Sequence, residues 1–280
     1  MNIIAESSST RTEWVVVEGT NVVEHAFTKG INPFFQTRRE ISHCIRLELP
    51  EAFFKKRWDH VYFYGAGCTN IDKKRIIEAS LIAQFKTPVT VESDLLGAAR
   101  GLLVNQEGIA CILGTGSNSC VYDGTDIVRN ITSGGFILGD EGSGSALGKL
   151  FLGDCLKNLA PRYLIDEFYE KYSMTPDMVM TAVYSSPFPN RSLCTFSFFL
   201  SEHLDDEYVE SLVRSNFTSF IERNILQYGN YRDYQIAFVG SCACLYEPIL
   251  RDVASQYDMS ISKIVRGSMP GLIQYHNNNQ

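Results

Sequence analysis

The sequence predicts an α/β protein of two similar domains, because one order of elements occurs twice along its 280 residues. Each time, three short strand-like runs separated by polar turns come first, and helices and strands then alternate. The second copy begins near residue 109 and contains an inserted helical block over 162–228. Because repeats define architecture, we expect a duplicated β-β-β-α-β-α topology. The expected domains are 1–106 and 107–280, with the helical insertion at about 160–230.

The first copy opens with strands at 2–5, 13–18 and 22–28, where β-branched residues are concentrated. The polar turn 6–12 joins the first two strands. Ile76, Ile77, Leu81 and Ile82 share the spacing of one helical stripe. The remaining predicted elements are a helix from Thr37 to Leu49, a strand at 61–64, a helix starting at Asn70 or Asp72, a strand at 88–91 and a helix opened by Ser93-Asp94.

The second copy repeats the order, with Asp123-Gly124 as a hairpin signal between its second and third strands. Thr175-Pro176 and Asp205 are helix-start signals inside the helical block. The predicted elements are strands at 109–113 and 127–131 with a short run between them, a helix at 143–157, the block 162–228, a strand at 235–239, a helix at 245–256, a strand at 259–265 and a helix at 270–276.

Composition narrows the function classes. A net charge of −7 argues against a nucleic-acid partner, which usually requires a basic face. No signal peptide or membrane-length apolar run is found, so we expect no membrane contact and a cytoplasmic location. The eight cysteines form no C-x-x-C pair, and most lie in apolar runs, which predicts small buried hydrophobes rather than metal ligands.

Glycines and small polar residues are concentrated between residues 108 and 149. The turn 114–119 follows an apolar run, as the turn 6–12 does in the first copy. It fails the G-x-G-x-x-G pattern at the last position, and Gly142…Gly148-Lys149 fails the P-loop pattern. Backbone N–H groups in such turns attract anions, so two turns facing each other across a cleft could hold a polyphosphate. A plain hairpin turn is the simpler alternative.

Three polar positions are candidate functional residues on the sequence alone. Asp94 stands at a strand-to-helix junction, where it could accept a proton from a substrate hydroxyl or simply cap the helix. Asp140 lies among glycines that allow a ligand to approach closely. Asn32 precedes a proline in the loop after the third strand. Ordinary cap, loop and turn chemistry would explain each of them equally well.

Seven stretches carry a family resemblance, in one order along nearly the whole chain: 6–11, 30–33, 64–67, 92–94, 113–118, 134–143 and 240–243. The most specific are Leu-Gly-Thr-Gly-Ser-Asn at 113–118 and Gly-Asp-Glu-Gly-Ser at 139–143. Together they resemble the BadF/BadG/BcrA/BcrD-type ATPase family, and within it the N-acetylglucosamine kinases. That family has the actin-like, hexokinase-like fold of two ribonuclease H-like domains.

The resemblance implies ATP and Mg²⁺ as cofactors and an amino sugar as substrate. It assigns Asp94 as the catalytic base, and Glu6 as a residue that orients Mg²⁺ through water. Implied ATP and phosphate residues are Glu6, Ser8, Ser9, Thr10, Arg11, Gly114, Thr115, Gly116, Gly240, Ser241, Cys242 and Ala243. Implied sugar residues are Asn32, Asp94, Ser117, Asn118, Gly134, Gly135 and Asp140.

The first turn departs from the commonest bacterial form of the family, D-S-G-S-T-K-T. Glu6, Ser8 and Arg11 replace its Asp, Gly and Lys. Glu and Arg occur at these places in animal-type enzymes, whereas Ser8 replaces a glycine and disfavours positive φ. We therefore expect strain at this turn, which would weaken an active kinase.

The expected activity is phosphoryl transfer from MgATP to the 6-hydroxyl of an N-acetylated amino sugar, with N-acetylglucosamine as the first choice. Three alternatives stay open: an N-acetylmuramic acid kinase, an ATPase activator of an acyl-CoA reductase or dehydratase, and a sugar- or ATP-binding protein without turnover. The helical block 162–228 is the candidate surface for a homodimer.

Overall fold

The computed structural model describes residues 1–8 and 10–279, which form two compact units. The first unit contains Met1–Glu107, Tyr122–Ile127 and the chain from Gly267 onward. The second contains Gly108–Val121 and Val128–Arg266. The domain boundary after residue 106 stays a prediction. No helix within the described ranges is long and apolar enough to cross a membrane.

The first unit is built on a five-stranded sheet of order β3-β2-β1-β4-β5. Its first three strands are antiparallel neighbours, and β4 and β5 continue the sheet in parallel. The strands are β1 (Asn2–Ser7), β2 (Arg11–Glu18), β3 (Asn21–Lys29), β4 (His60–Gly65) and β5 (Val89–Ser93).

Helices cover this sheet: α1 (Arg38–Glu48), α2 (Ile71–Phe85), α3 (Asp94–Leu103) and α12 (Met269–Asn278), with a 3₁₀ turn at Glu51–Phe54. Thr37 starts α1 with a capping box that includes Glu40. Asn70 caps α2, which settles the alternative between Asn70 and Asp72. Ile82 was wrongly placed on the buried stripe and is 43% exposed, because the core side of α2 runs through Ile77 and Leu81.

Alternate residues of β1 and β2 pack on opposite faces of the sheet, as strand geometry requires. Ile3 and Trp14 belong to the core that includes α1 and α2. Ile4, Val15 and Val17 pack instead with Tyr64, Met269 and Leu272. The last helix, α12, therefore completes an apolar core of the first sheet.

Two glycines bring α3 and α12 into close contact. A Cβ on Gly271 would lie 1.7 Å from the carbonyl oxygen of Gly101. The Tyr64 hydroxyl joins the same helices: Arg100 Nη1 on α3 donates to it at 3.1 Å, and it lies 3.0 Å from His276 Nε2 on α12. Burial lowers the pKa of His276 to about 4, so this ring is neutral at pH 7.

The second unit repeats the arrangement in a sheet of order β10-β9-β6-β7-β8. Its first strand, β6, is again central, with two consecutive strands on one side and parallel β9 and β10 on the other. The strands are β6 (Glu107–Leu113), β7 (Ser117–Asp123), β8 (Ile127–Ile131), β9 (Ile236–Val239) and β10 (Ile261–Val265). The predicted α/β fold with a duplicated order of elements is confirmed.

The helices of the second unit are α4 (Gly135–Leu138), α5 (Gly144–Lys157), α6 (Arg162–Tyr172), α7 (Pro176–Tyr184), α8 (Pro189–Ser197), α9 (Glu207–Arg223), α10 (Ser241–Leu245) and α11 (Glu247–Ser255). Short 3₁₀ turns occupy Phe198–Glu202, Ile225–Tyr228 and Tyr231–Asp233. Thr175 caps α7 as predicted, whereas α9 is capped by Asp206 instead of Asp205. The predicted helix 245–256 corresponds to α11, in which Pro248 lies in the first turn, and the short helix α10 before it was not predicted.

All eight cysteines are free, and six of them are buried. Cys111 and Cys120 lie on the central strands β6 and β7 of the second sheet. The prediction that most cysteines act as small buried hydrophobes is confirmed.

Candidate active site

Asp94 is the first residue of α3, directly after β5. The helix is capped by Ser93, whose hydroxyl accepts from Leu96 N, so Asp94 is not the N-cap. Asp94 Oδ1 accepts a 3.0 Å hydrogen bond from Leu95 N. Burial raises the pKa of this carboxyl to about 6. Asp94 is therefore a carboxylate with spare acceptor capacity, poised to titrate near neutral pH.

Asn32 lies close to the turn that follows β4. A Cβ on Gly67 would lie 2.4 Å from Asn32 Oδ1, so only glycine allows this approach. In the same turn, burial raises the pKa of the Cys68 thiol to about 12, and the charge of nearby Asp94 adds to this effect. Asn32, this turn and Asp94 thus gather at the carboxyl ends of β4 and β5.

Buried Ser7, which the sequence did not single out, fixes the Asn32 loop. Its Oγ accepts from Ile31 N at 2.9 Å and donates to Ile31 O at 3.1 Å. Asn32 Oδ1 in turn accepts from Phe34 N at 2.9 Å. The amide NH₂ of Asn32 therefore remains as its donor for a ligand.

Phe34 is a second residue near the site that the sequence alone did not identify. Its ring is 53% exposed, and Lys73 Nζ lies 4.5 Å from the ring centroid. An exposed aromatic ring beside a polar amide is a surface on which the apolar face of a small molecule could rest. The available signal was a pair of phenylalanines directly after Asn32-Pro33 in an otherwise polar loop.

The turn between β1 and β2 is held by the hydroxyl of Ser8. Ser8 Oγ accepts from Thr10 N and Arg11 N, both at 3.3 Å, and donates to Arg11 O at 3.1 Å. Ser8 does not have a positive φ. The strain expected from Ser8 in place of glycine is absent at that residue, while Ser9 lies outside the described residues.

Arg11 is exposed. Its guanidinium lies 4.2 Å from the centroid of the Phe27 ring. Stacking of this kind keeps a cation available while limiting its movement. The predicted contact of Arg11 with phosphate stays a prediction.

Glu6 and Glu13 are direct cross-strand partners on β1 and β2. The pKa of Glu6 is raised, first by burial and then, against an opposing effect of Ser268, by the charges of Glu13 and Asp94. Like charges held together in this way favour a divalent cation. No group of three or more His, Cys, Asp or Glu within residues 1–8 and 10–279 is arranged to hold a metal directly. Magnesium usually keeps several waters and takes its other ligands from phosphates, so these carboxylates fit a water-mediated site.

In the second unit, the turn between β6 and β7 is fixed against the start of α5. Gly144 N donates to Gly114 O at 2.9 Å, and Ser145 N donates to Thr115 O at 3.1 Å. These two helix amides are therefore occupied. The backbone of the turn is held in one conformation, and a Cβ on Gly114 would meet open space.

Asp140 packs against the same turn in a left-handed conformation, with a φ of 57°. Its Oδ1 accepts from Ser117 N at 3.3 Å, and a Cβ on Gly116 would lie 2.9 Å from its Oδ2. Burial raises its pKa to about 6. Its neighbour Glu141 pairs instead with Arg223 at 2.6 Å. The structure thus brings Gly116, Ser117 and Asp140 together.

The three other predicted sugar positions in this unit differ in their surroundings. Asn118 Oδ1 accepts from Ser119 N and from Asn130 Nδ2, both at 2.9 Å, which leaves its own amide NH₂ as a donor. Gly134 and Gly135 both have positive φ, which permits the turn that leads into α4. Ile137 and Leu138 on α4 are 73% and 80% exposed.

The predicted adenosine motif, Gly240 to Ala243, also reaches the turn after β6. A Cβ on Gly240 would lie 2.3 Å from Leu113 O. Cys242 Sγ donates to Gly142 O at 3.3 Å, and both Cys242 and Ala243 are buried. Gly240 and Ser241 are the partly exposed members of the motif. Three of the predicted motifs of the second unit therefore meet at the carboxyl ends of β6 and β9.

Comparisons with solved structures agree with this architecture. A Porphyromonas gingivalis protein, provisionally named an N-acetylglucosamine kinase, is 43% identical with a TM-score of 0.95, covering 100% of this chain and 99% of that chain. A Chromobacterium violaceum protein with the same provisional name is 15% identical, with a TM-score of 0.75 over 98% of each chain. A ROK hexokinase from Thermus thermophilus is 14% identical, with a TM-score of 0.56 over 98% of this chain and 96% of that chain.

The two lower identities show the fold alone. A scan against protein-family models found no match, and a search of curated proteins found none either. The Porphyromonas gingivalis protein shows more than a shared fold, because its 43% identity extends over the full length of this chain. On that ground the chain belongs to the N-acetylglucosamine kinase-like family of sugar kinases with the actin-like fold.

Proposed function

We propose that the protein transfers the γ-phosphoryl group of ATP to the 6-hydroxyl of N-acetylglucosamine. The observation that carries this is Asp94: a half-buried carboxylate that does not cap its helix, since Ser93 does, and whose pKa burial raises to about 6. The provisional name of the Porphyromonas gingivalis relative supports the same sugar. Membership of the wider BadF/BadG/BcrA/BcrD-type ATPase family is part of this proposal.

In the proposed reaction, Asp94 accepts the proton of the 6-hydroxyl as the oxygen bonds to the γ-phosphorus. The bond from that phosphorus to the β–γ bridging oxygen breaks, and ADP leaves. Such catalysis is mostly positioning and charge stabilisation. Bound Mg²⁺ would neutralise phosphate charge, with Glu6 and Glu13 facing its water shell. Assignment of the 6–11 and 114–117 turns to the ATP phosphates stays a prediction from the sequence.

Asn32 and Asp140, which the family resemblance assigns to the sugar, are each proposed to offer a polar group for a sugar hydroxyl. Asn32 presents its amide NH₂ and Asp140 a buried carboxylate. Hydroxyl recognition by buried polar groups is selective, because an analogue that lacks the hydroxyl leaves them unpaired. A cytoplasmic location, where ATP is plentiful, is part of the proposal, while a homodimer through 162–228 stays a prediction.

The deciding experiment is an ADP-release assay with N-acetylglucosamine, N-acetylmuramic acid, N-acetylmannosamine and glucose, repeated for Asp94→Asn. We expect the highest kcat/KM with N-acetylglucosamine and near-complete loss in the variant. Preference for N-acetylmuramic acid would change the substrate. ATP hydrolysis without sugar phosphorylation, with iron in the purified protein, would indicate the reductase-activator alternative. Sugar binding without ADP release would indicate a non-catalytic protein.

A further inference from the structure

The loop that carries Phe34 lies at the edge of the first sheet where the proposed base is found. The parallel strands β1, β4 and β5 end side by side at this edge, because Gly65 is the register partner of both Ser7 and Ser93. Ser7 also holds the loop after β3 through its hydroxyl, and Asp94 directly follows Ser93. Phe34 and the proposed base therefore belong to neighbouring segments of one sheet edge.

The loop itself is fixed by hydrogen bonds at each step. Asn32 N donates to Gln36 Oε1 at 2.7 Å, and Gln36 N donates to Asn32 O at 3.1 Å. Phe34 N donates to Asn32 Oδ1 at 2.9 Å. From helix α2, Lys73 Nζ donates to Pro33 O at 3.0 Å. A loop held in one conformation loses little entropy when a ligand binds to it.

The Phe34 ring is held in place and yet half open to solvent. It is 53% exposed, although phenylalanine is usually a buried residue. Lys73 Nζ lies over the ring, 4.5 Å from its centroid. A Cβ on Gly67 would lie 3.0 Å from Phe34 Cδ2 and 2.4 Å from Asn32 Oδ1. The ring and the Asn32 amide meet at the same glycine, so their relative placement is fixed.

This combination of an aromatic ring and an amide donor matches the two kinds of surface on a pyranose. The edge of a pyranose carries hydroxyls, whereas its faces carry C–H groups. The face of an aromatic ring bears partial negative charge, so it favours C–H groups over phosphate oxygens. Few, well-placed polar groups beside an apolar surface are typical of small-molecule sites.

We propose that Phe34 is a sugar-binding residue: a C–H face of the pyranose rests on its ring while a sugar hydroxyl accepts from the Asn32 amide. The inference deepens the proposed function and rests on it for the identity of the sugar. Phe34 contributes binding energy and no chemistry. Lys73 acts on the sugar only through Phe34, by holding the ring.

Phe34→Leu keeps an apolar side chain and removes the planar face, whereas Phe34→Tyr keeps that face. Calorimetric titration with N-acetylglucosamine, with and without MgADP, measures sugar affinity in each variant. We expect sugar affinity to fall about three- to tenfold in Phe34→Leu and to change by less than about twofold in Phe34→Tyr. Affinity for MgADP should stay within about twofold in both.

Proton magnetic resonance gives a signature that a merely structural role of Phe34 would not produce. An aromatic ring shifts protons that lie on its face upfield. We expect an upfield shift of sugar C–H protons with the unaltered protein and with Phe34→Tyr, and a much smaller shift with Phe34→Leu.

Phe198→Leu is the matched control, because Phe198 is a 42% exposed phenylalanine in a 3₁₀ turn of the second unit. It should leave sugar affinity and the proton shifts unchanged. Both leucine variants should melt within about 2 °C of the unaltered protein, because each replaces an exposed side chain.

Unchanged sugar affinity in Phe34→Leu, or a full upfield shift that persists there, would overturn the proposal. Failure of the unaltered protein to bind N-acetylglucosamine would overturn it too. If N-acetylglucosamine is phosphorylated and Phe34→Leu binds it normally, the proposed function stands and the role of Phe34 fails. If sugar binding depends on Phe34 and no phosphoryl group is transferred, the proposed function fails and the role of Phe34 stands.

Discussion

At the scale of single residues, Asp94 combines two properties that are usually opposed. Burial disfavours its charged form, and the proposed chemistry requires that form. Its folded pKa of about 6 lies above the ordinary 3.8, so the folded state binds the proton more tightly than the unfolded state. Stability must therefore fall as pH rises from about 4 to about 6, and the ionised carboxylate destabilises the fold above that range.

Asp94→Asn should accordingly separate activity from stability. We expect kcat to fall about 10²- to 10⁴-fold, as for loss of a general base, with sugar affinity largely kept. The free energy of unfolding at pH 7 should rise by about 1–2 kcal/mol, because the buried charge is gone. ADP release and urea unfolding measure the two effects.

The gain in stability should disappear near pH 4, where Asp94 is protonated in both states. Exposed Asp72 provides a control, since Asp72→Asn should change neither quantity appreciably. A variant with near-normal kcat would remove Asp94 from its proposed role.

The pH dependence of kcat/KM tests Asp94 together with Asp140. Burial raises both pKa values to about 6, and both carboxylates are proposed to act in their charged forms. We expect kcat/KM for the sugar to be constant above pH 7 and to fall on acidification through about 6. A profile that stays flat down to pH 4.5 would contradict this.

Ser8 offers a test of the first turn. Its hydroxyl occupies the amides of Thr10 and Arg11, which glycine would leave free for phosphate oxygens. Ser8→Gly and Ser8→Ala should therefore both bind MgADP more tightly, by about two- to fivefold, in calorimetric titrations. Weaker binding in both variants would show instead that the hydroxyl itself contacts the nucleotide.

At the scale of elements, α3 is positioned by Tyr64. A Cβ on Gly97 would lie 2.7 Å from Tyr64 Cβ, so the helix that begins at Asp94 rests directly on that side chain. The direction of the Asp94 carboxylate thus depends on a contact one helical turn away.

Gly97→Ala should displace α3 and lower both stability and turnover. Overpacking of this kind costs about 1–3 kcal/mol, and a small misplacement of the base can reduce kcat about 10²-fold. Gly153→Ala is the matched control, because nothing lies within 4 Å of its added Cβ. It should stabilise α5 by about 0.5–1 kcal/mol. Equal behaviour of the two variants in melting and ADP-release assays would refute the argument.

Sequence patterns predicted the elements well where a local cause decides them. Thr37 and Thr175 start helices because their hydroxyls accept from amides three residues ahead. Ser7 could not be recognised, because its role depends on Ile31, which lies 24 residues away in sequence. Ser8 misled the prediction, since the strain depended on a φ value that residue type alone does not determine.

At the scale of the whole molecule, the sequence predicted the duplicated order of elements. It did not predict that α12 packs in the first unit. Helix α12 follows the second sheet in sequence and packs in the first unit. The spacing of its apolar residues could predict a helix, but not which of the two sheets that helix covers. Helix α12 packs on the first sheet because its apolar side chains cover Ile4, Val15 and Val17.

A chain shortened to residues 1–266 tests this arrangement. Without α12, the apolar side chains of Ile4, Val15 and Val17 lose their cover, and Tyr64 loses His276. We expect dye binding to exposed apolar surface and a loss of the cooperative unfolding transition of the first unit. A chain shortened only to residue 278 should unfold like the full one. Native-like unfolding of the 1–266 chain would contradict this role of α12.

The return of α12 also has a consequence for how the protein is made. A ribosome releases β1 and β2 early, yet the helix that covers one of their faces is synthesised after the entire second unit. The first unit must wait with an apolar face uncovered while well over a hundred further residues emerge. Nascent chains in that state are the ones that chaperones bind and that aggregate most readily. The protein is therefore most prone to aggregation during its synthesis, before α12 has emerged from the ribosome.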